Sequence, residues 1–169
     1  MNHYHFDTRS TEAGERAQCW SAINRDFFGP LGVECLDDGP LDAQMSAFEV
    51  GPLRLFRITA PAHRVQRGTT RDIWPIDDKY KMVLQLGGQA QIRQRERSAR
   101  LGAGEWSLYD PRVPYSITNF ERSDLLALQI PREQLRGFKV PALHTREAAS
   151  SDVVGLHAVL GSFLRALAG

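Results

Sequence analysis

Between positions 44 and 130, glycine and proline recur at short intervals, and the pieces they separate are rich in apolar, aromatic and β-branched residues. The segment Gln44–Val50 alternates weakly, with Met45, Ala47 and Glu49 against Ser46, Phe48 and Val50. After Gly51-Pro52, residues 53–59 alternate cleanly, Leu53, Leu55 and Arg57 against Arg54, Phe56 and Ile58. Further strands are predicted at 62–67, 72–76 and 80–86, the last closed by a turn or bulge at Gly87-Gly88. Residues 89–95 and 98–101 flank a polar tip, and Trp106–Tyr109, Tyr115–Asn119 and 125–130 complete the run. About ten short strands with this punctuation are the pattern of a sandwich or barrel.

The densest punctuation lies at 101–117. A glycine-bounded turn (Gly102, Gly104) leads into the Trp106–Tyr109 strand. A proline-bracketed turn (Pro111, Pro114) follows, and a second strand starts at Tyr115. This pattern is read as a corner of a small double-sheet barrel.

Both ends of the chain differ from this middle. Residues 1–9 read as a loose lead-in. A helix capped by Ser10 or Thr11 is predicted to run to about Phe27, with Ala17, Trp20, Ile23 and Asn24 near one face. Trp20 is expected to plug one end of the core, and Phe28-Gly-Pro-Leu31 breaks the helix. A short strand is predicted at 33–36, and Asp37-Asp-Gly-Pro40 is a turn cluster. After Pro131, a helical turn or two at 132–138 and a linker at 139–147 are predicted. Ser150 or Ser151 then caps a helix over 152–168. Its Val153, Leu156, Leu160, Phe163 and Leu167 follow the three-four spacing of a packing seam.

Composition removes several classes. A single domain is expected from 169 residues, a size that buries roughly 70% of its unfolded surface without staples. A net charge of +1 makes no global field for nucleic acid or an anionic membrane. Lys79, Lys81 and Lys139 are the only lysines. The basic residues are otherwise arginine. Cys19 and Cys35 form no metal-type cluster, and nothing marks an oxidising compartment. The N-terminus lacks a signal peptide's charged and apolar regions, and no apolar run reaches the ~20 residues of a bilayer span. A cytoplasmic protein without membrane contact is expected.

The chain resembles the N-terminal effector-binding domain of AraC-type transcription regulators. The resemblance rests on Trp20 with Phe28-Gly-Pro-Leu31, on Leu53-Arg-Leu-Phe-Arg57 and on His63-Arg-Val-Gln-Arg67. It continues through 80–88, 104–115 and Leu128-Gln-Ile-Pro-Arg132, so it spans nearly the whole chain. It implies a mainly β fold, a cupin-like double-sheet β-barrel (jelly roll) with an N-terminal helix and a C-terminal dimerisation helix. The expected division is a ligand-binding barrel with its helix at 1–138, then linker and dimerisation helix at 139–169. The expected partners are a small organic effector, aromatic ones included, and a second copy of the chain. DNA would be met only through a C-terminal domain with helix-turn-helix motifs. No such motif is encoded here, so the chain is expected to be the sensor part of a longer protein.

In metal-binding cupin barrels a histidine usually follows the second proline of the corner. Tyr115 stands there in this chain. Of the five histidines, His3, His5, His63, His144 and His157, only His63 falls in the barrel region, so no metal or other cofactor is expected. No nucleophile elbow or Ser/His/Asp order is visible, and Asp77-Asp78 reads as a solvated turn, so no catalytic residue is assigned. The expected ligand-binding residues are Tyr115 first, then Tyr80, Trp74, Tyr109 and Trp106, with Met82 as soft surface. Gln85, Arg67 and Arg71 would supply hydrogen bonds or a carboxylate clamp. Strand parity separates Tyr109 from Trp106 and Leu108, so these cannot all face inward. Arg93, Arg95, Arg97 and Arg100 are read as a solvated hairpin tip rather than a phosphate contact. Val153, Leu156, Leu160, Phe163 and Leu167 are the expected dimerisation residues. The alternative is a small cupin enzyme, an isomerase or dioxygenase, in which His63 and Asp77 or Asp78 approach Tyr115.

Overall fold

The structure is a computed structural model that describes residues 3–68 and 78–136, and the backbone of 143–145. The predicted strand at 72–76, with Arg71, Trp74 and Asp77, lies outside the described residues, as does the predicted helix with Val153, Leu156, Leu160, Phe163 and Leu167.

Two antiparallel sheets face each other. Their strands are β1 (His3–Asp7), β2 (Gly32–Cys35), β3 (Gln44–Val50), β4 (Leu53–Ala60), β5 (His63–Arg67), β6 (Lys79–Gly87) and β7 (Ala90–Gln94). The others are β8 (Arg97–Leu101), β9 (Trp106–Tyr109), β10 (Tyr115–Asn119), β11 (Ser123–Pro131) and β12 (Leu143–Thr145). The larger sheet runs β1-β3-β4-β11-β6-β9-β12 and the smaller β2-β5-β10-β7-β8. Neighbours in space are mostly not neighbours in sequence, so the chain crosses repeatedly between layers. One α-helix, α1 (Arg16–Phe28), packs against the pair.

The strand alternation sorts side chains as a period of two requires. From the larger sheet, Met45, Ala47, Phe56, Ile58, Val83, Tyr109, Leu125 and Ala127 join Ala90, Ile92, Leu101, Tyr115 and Ile117 of the smaller sheet in one core between the layers. Phe56 is central, with ring centroids 5.4 Å from Phe27 and 4.7 Å from Phe28. The intervening residues of the larger sheet, Leu55, Met82, Leu84, Trp106, Leu126 and Leu128, form a second apolar cluster. Strands β4, β6 and β11 are therefore apolar on both faces, which explains their near-continuous hydrophobic runs.

Three expectations at the ends are corrected. Residues 3–7 are an edge strand paired with β3 from His3↔Phe48 to Asp7↔Gln44, not a loose lead-in. The pairing is held by polar groups that carry no hydrophobic signal. Gln44 Nε2 donates to Asp7 at 2.8 Å, and the buried Thr8 hydroxyl donates to Leu41 O at 2.6 Å. The helix begins at Arg16 rather than at Ser10 or Thr11, because Asp7 accepts from Arg9 N at 2.9 Å and caps a separate short 3-10 turn over Thr8–Ser10. Its buried face is Trp20, Asn24 and Phe28, while Ala17 is exposed. Gly29, at φ 77, ends it. The linker predicted at 139–147 contains β12, whose backbone pairs with β9 from Leu143↔Tyr109 to Thr145↔Ser107. Three residues pairing at a sheet edge are too few to leave a pattern. The helical turn expected at 132–138 is a 3-10 turn over Arg132–Leu135.

The 101–117 corner keeps its predicted strands to the residue. Gly104 takes φ 84, and Glu105 reaches back to accept from Gly102 N at 2.9 Å. Beyond Tyr109, Asp110 accepts from Arg132 and Arg112 side chains, and its carbonyl accepts from Gln94 Nε2 at 2.7 Å. The Arg132 guanidinium lies 4.2 Å from the Tyr80 ring centre. The corner is thus tied to β7 and to the end of β11.

Candidate ligand cavity

Between the two sheets lies a cavity of about 60 Å³. At about 10–15 Å³ per water this is room for four to six waters, or for a small organic molecule of similar size. Its walls are mostly apolar: Ile58, Val65, Val83, Ile117, Leu125 and Ala127. Helix α1 lies along it, presenting Trp20, Asn24 and Phe28 at the i, i+4, i+8 spacing of one helix face.

The polar groups gather in two places. Lys81, Tyr109 and Gln129 occupy one row of the larger sheet, since Lys81 pairs with Tyr109 on one side and Gln129 on the other. Tyr115 meets them from the smaller sheet. Lys81, 4% exposed, donates from Nζ to the Tyr115 hydroxyl at 3.1 Å. The same ammonium lies 4.8 Å from the Phe28 ring centre and 5.6 Å from that of Tyr115, a cation–π arrangement. Tyr109 and Tyr115 are packed with centroids 4.8 Å apart. Burial first, and then the adjoining Tyr115 hydroxyl, push the Tyr109 phenol well above its ordinary range, so it stays protonated. Gln129 Nε2 donates to Phe27 O at 2.8 Å, which turns its Oε1 away from the helix.

The second group is His63 and Asn119, paired across β5 and β10. His63 Nδ1 lies 2.8 Å from Pro61 O, a carbonyl that only accepts, so this nitrogen carries the proton. Nε2 is left to accept from Asn119 Nδ2 at 3.4 Å. Burial lowers the His63 pKa, the Pro61 bond opposing it in part, and the ring is neutral in the fold.

Three buried polar atoms on lining residues have no hydrogen-bond partner among the described residues: Trp20 Nε1, Asn119 Oδ1 and Gln129 Oε1. Such atoms are costly to bury unsatisfied and ask for an occupant.

The sequence-predicted residues divide. Tyr115 and Tyr109 line the cavity. Gln85 and Arg67 are buried but are not lining residues; Gln85 Nε2 donates instead to Gly87 O at 2.8 Å. Trp106 and Met82 belong to the second cluster, on the other face of the larger sheet. Tyr80 shares Met82's face by alternation and stacks on Arg132. Trp106, Tyr80 and Met82 are thus corrected as cavity residues, because strand parity turns them away. Trp74 and Arg71 lie outside the described residues. Lys81, Asn119, Gln129 and Phe28 were missed. The signal for Lys81 was its alternation with Val83 and Gln85, obscured because both faces of β6 are apolar. Among the described residues no three His, Cys, Asp or Glu side chains come together to hold a metal ion, and Cys19 and Cys35 are free thiols. Among the same residues no helix is long and apolar enough to cross a membrane.

A mostly apolar cavity with a few placed polar groups, held between two antiparallel sheets, has the form of a small-molecule binding module. The chain belongs to the AraC-binding-like domain family, whose model matches residues 20–169. It is 30% identical over 142 residues to an uncharacterized protein in the nit 5′ region of Bacillus sp. (strain OxB-1), a match covering 80% of this chain and 55% of that protein. The crystal structure of the AraC-like transcriptional activator CuxR is similar with a TM-score of 0.69 at 19% identity, covering 79% of this chain and 49% of that one. At that identity the likeness is one of fold. The chain spans about half the length of each of these relatives.

Proposed function

We propose that the chain is the effector-sensing and dimerisation module of an AraC-type transcription regulator, acting in the cytoplasm. A small organic molecule occupies the cavity without a metal. The module acts on DNA through a helix-turn-helix domain outside this sequence. The observation that carries this reading is the mostly apolar cavity between the sheets, with three unsatisfied polar atoms on its lining. Family membership, and a length about half that of the relatives, support a sensor module within a larger regulator.

In this reading residues 1–138 bind the effector and 139–169 carry the signal, with Val153, Leu156, Leu160, Phe163 and Leu167 as a seam between two copies. A two-fold pair matches the symmetry of a paired DNA site. The effector acts by binding one arrangement of the pair better than another.

Light scattering on the purified chain tests the pairing. A dimer is expected, and Leu160→Glu should convert it to a monomer without lowering the melting temperature of the barrel. A wild-type monomer at high concentration would overturn the seam. Metal analysis of untreated protein tests the other part, since a stoichiometric transition metal would favour an enzyme instead.

A further inference from the structure

Two amide side chains on the cavity wall are locked with their oxygens unpaired. Gln129 Nε2 donates to Phe27 O at 2.8 Å, and Asn119 Nδ2 donates to His63 Nε2 at 3.4 Å. The Phe27 carbonyl can only accept. His63 Nε2 also only accepts, because Nδ1 holds the ring proton against Pro61 O, 2.8 Å away. Flipping either amide would set its oxygen against an acceptor, so the hydrogen bonds fix both orientations. Gln129 Oε1 and Asn119 Oδ1 therefore stand as acceptors with no partner among the described residues. Both residues are 1% exposed and both line the cavity. Trp20, equally buried on the same lining, adds one donor in the same state, its Nε1.

These three atoms narrow what can occupy the cavity. The two oxygens need donors, and the indole N–H needs an acceptor. A carboxylate brings acceptors alone, so both oxygens would stay unpaired. An ammonium has no acceptor for Trp20, and none of the three atoms carries a charge to offset its burial. A hydroxyl or a primary amide donates and accepts without bringing a charge. The walls, Ile58, Val65, Val83, Ile117, Leu125 and Ala127, suit a small alkyl body. They reject a polyol, whose further hydroxyls would go unpaired among them. A volume of about 60 Å³ keeps the body to a few carbons.

We propose that the cavity selects a small uncharged molecule that carries an O–H or N–H donor on a short alkyl body, the donor meeting Gln129 Oε1 or Asn119 Oδ1. This rests on the reading of the cavity as an effector site and names the ligand class of that site. The selection lies in the two locked oxygens: a molecule of the same shape without a donor leaves both of them buried and unpaired.

Propanamide, 2-butanol, 2-butanone and propanoate are nearly the same in size and shape, and differ in donors and charge. Calorimetric titration of the intact chain with each of them tests the class. The better of propanamide and 2-butanol should bind at least about tenfold more tightly than 2-butanone, which has no donor. It should exceed propanoate by at least about the same factor. Gln129→Met or Asn119→Leu should bring that probe down to the level of 2-butanone, whose own binding should persist and so report an intact cavity. A lead kept in both variants overturns the assignment to these oxygens. Where a variant fails to fold, the order of the probes on the wild-type chain still decides the class. If 2-butanone binds as tightly as the donors, the donor requirement is overturned while the effector site stands. If propanoate binds most tightly, the uncharged class is overturned and the effector site again stands. If none of the four binds, buried water satisfies the two oxygens, and the inference and the effector reading of this cavity fall together.

Discussion

Gly88 sits at φ 76, and a Cβ there would stand 2.6 Å from the Arg122 carbonyl oxygen. Both the left-handed backbone and the backbone contact exclude a side chain, so Gly88→Ala should cost at least about 1 kcal/mol. Arg95, at the tip of the β7–β8 hairpin, occupies the same region at φ 54 with a side chain that gains nothing from it. Arg95→Gly should therefore be neutral or stabilising by up to about 1 kcal/mol. Opposite signs in urea melts would bear out the backbone argument, and equal losses would refute it. His63 sets a pH dependence. Its folded pKa lies below the ordinary 6.5 because burial disfavours the imidazolium. Below about pH 6.5 the unfolded chain therefore takes up a proton that the folded chain refuses. This contribution is complete above that pH and is lost as the pH falls toward the folded value. Urea midpoints should drop between pH 7.5 and 5.5, and His63→Gln should flatten the drop. An unchanged slope would show that His63 is not its source.

At the scale of elements, the 101–117 corner was legible because its instructions are local. Two glycines and two prolines limit the backbone between Leu101 and Tyr115, and β9 and β10 form where the punctuation leaves room. The edge strands β1 and β12 were not legible. Their residues alternate weakly and pair with partners distant in sequence, so nothing local distinguishes them from coil. The corner's attachment was equally hidden. Burial would raise the Asp110 pKa, but hydrogen bonds from Arg132 and Arg112 outweigh it and hold the carboxyl below its ordinary value. Asp110 and Arg132 are 15% and 16% exposed, so their pair is largely shielded. Asp110→Asn should lower stability by about 1–3 kcal/mol. Arg132→Met should cost a similar amount, and the double variant less than the sum if the two act as a pair. Additive losses in urea unfolding would place the stabilisation elsewhere.

For the molecule as a whole, binary pattern and turn residues were enough to specify a double-sheet β fold with a helix ahead of it, since both act over a few residues. Tyr115 was legible as a cavity residue from its place after the second proline of the corner. Tyr109 was named together with Trp106 of the same strand, and parity separated the two without saying which faces inward. Trp106 and Tyr80 were misassigned for that reason. In β6 and β9 both faces are apolar, and a strand buried on two sides does not say which alternate residues look inward. Only the packing of one sheet on the other decides that. The same packing brings Lys81 to Tyr115 across 34 positions of chain, and His63 to Asn119 across 56. Secondary structure here is written in neighbouring residues. The cavity is made by residues that meet only after the chain has crossed between two sheets, so its chemistry belongs to the tertiary structure.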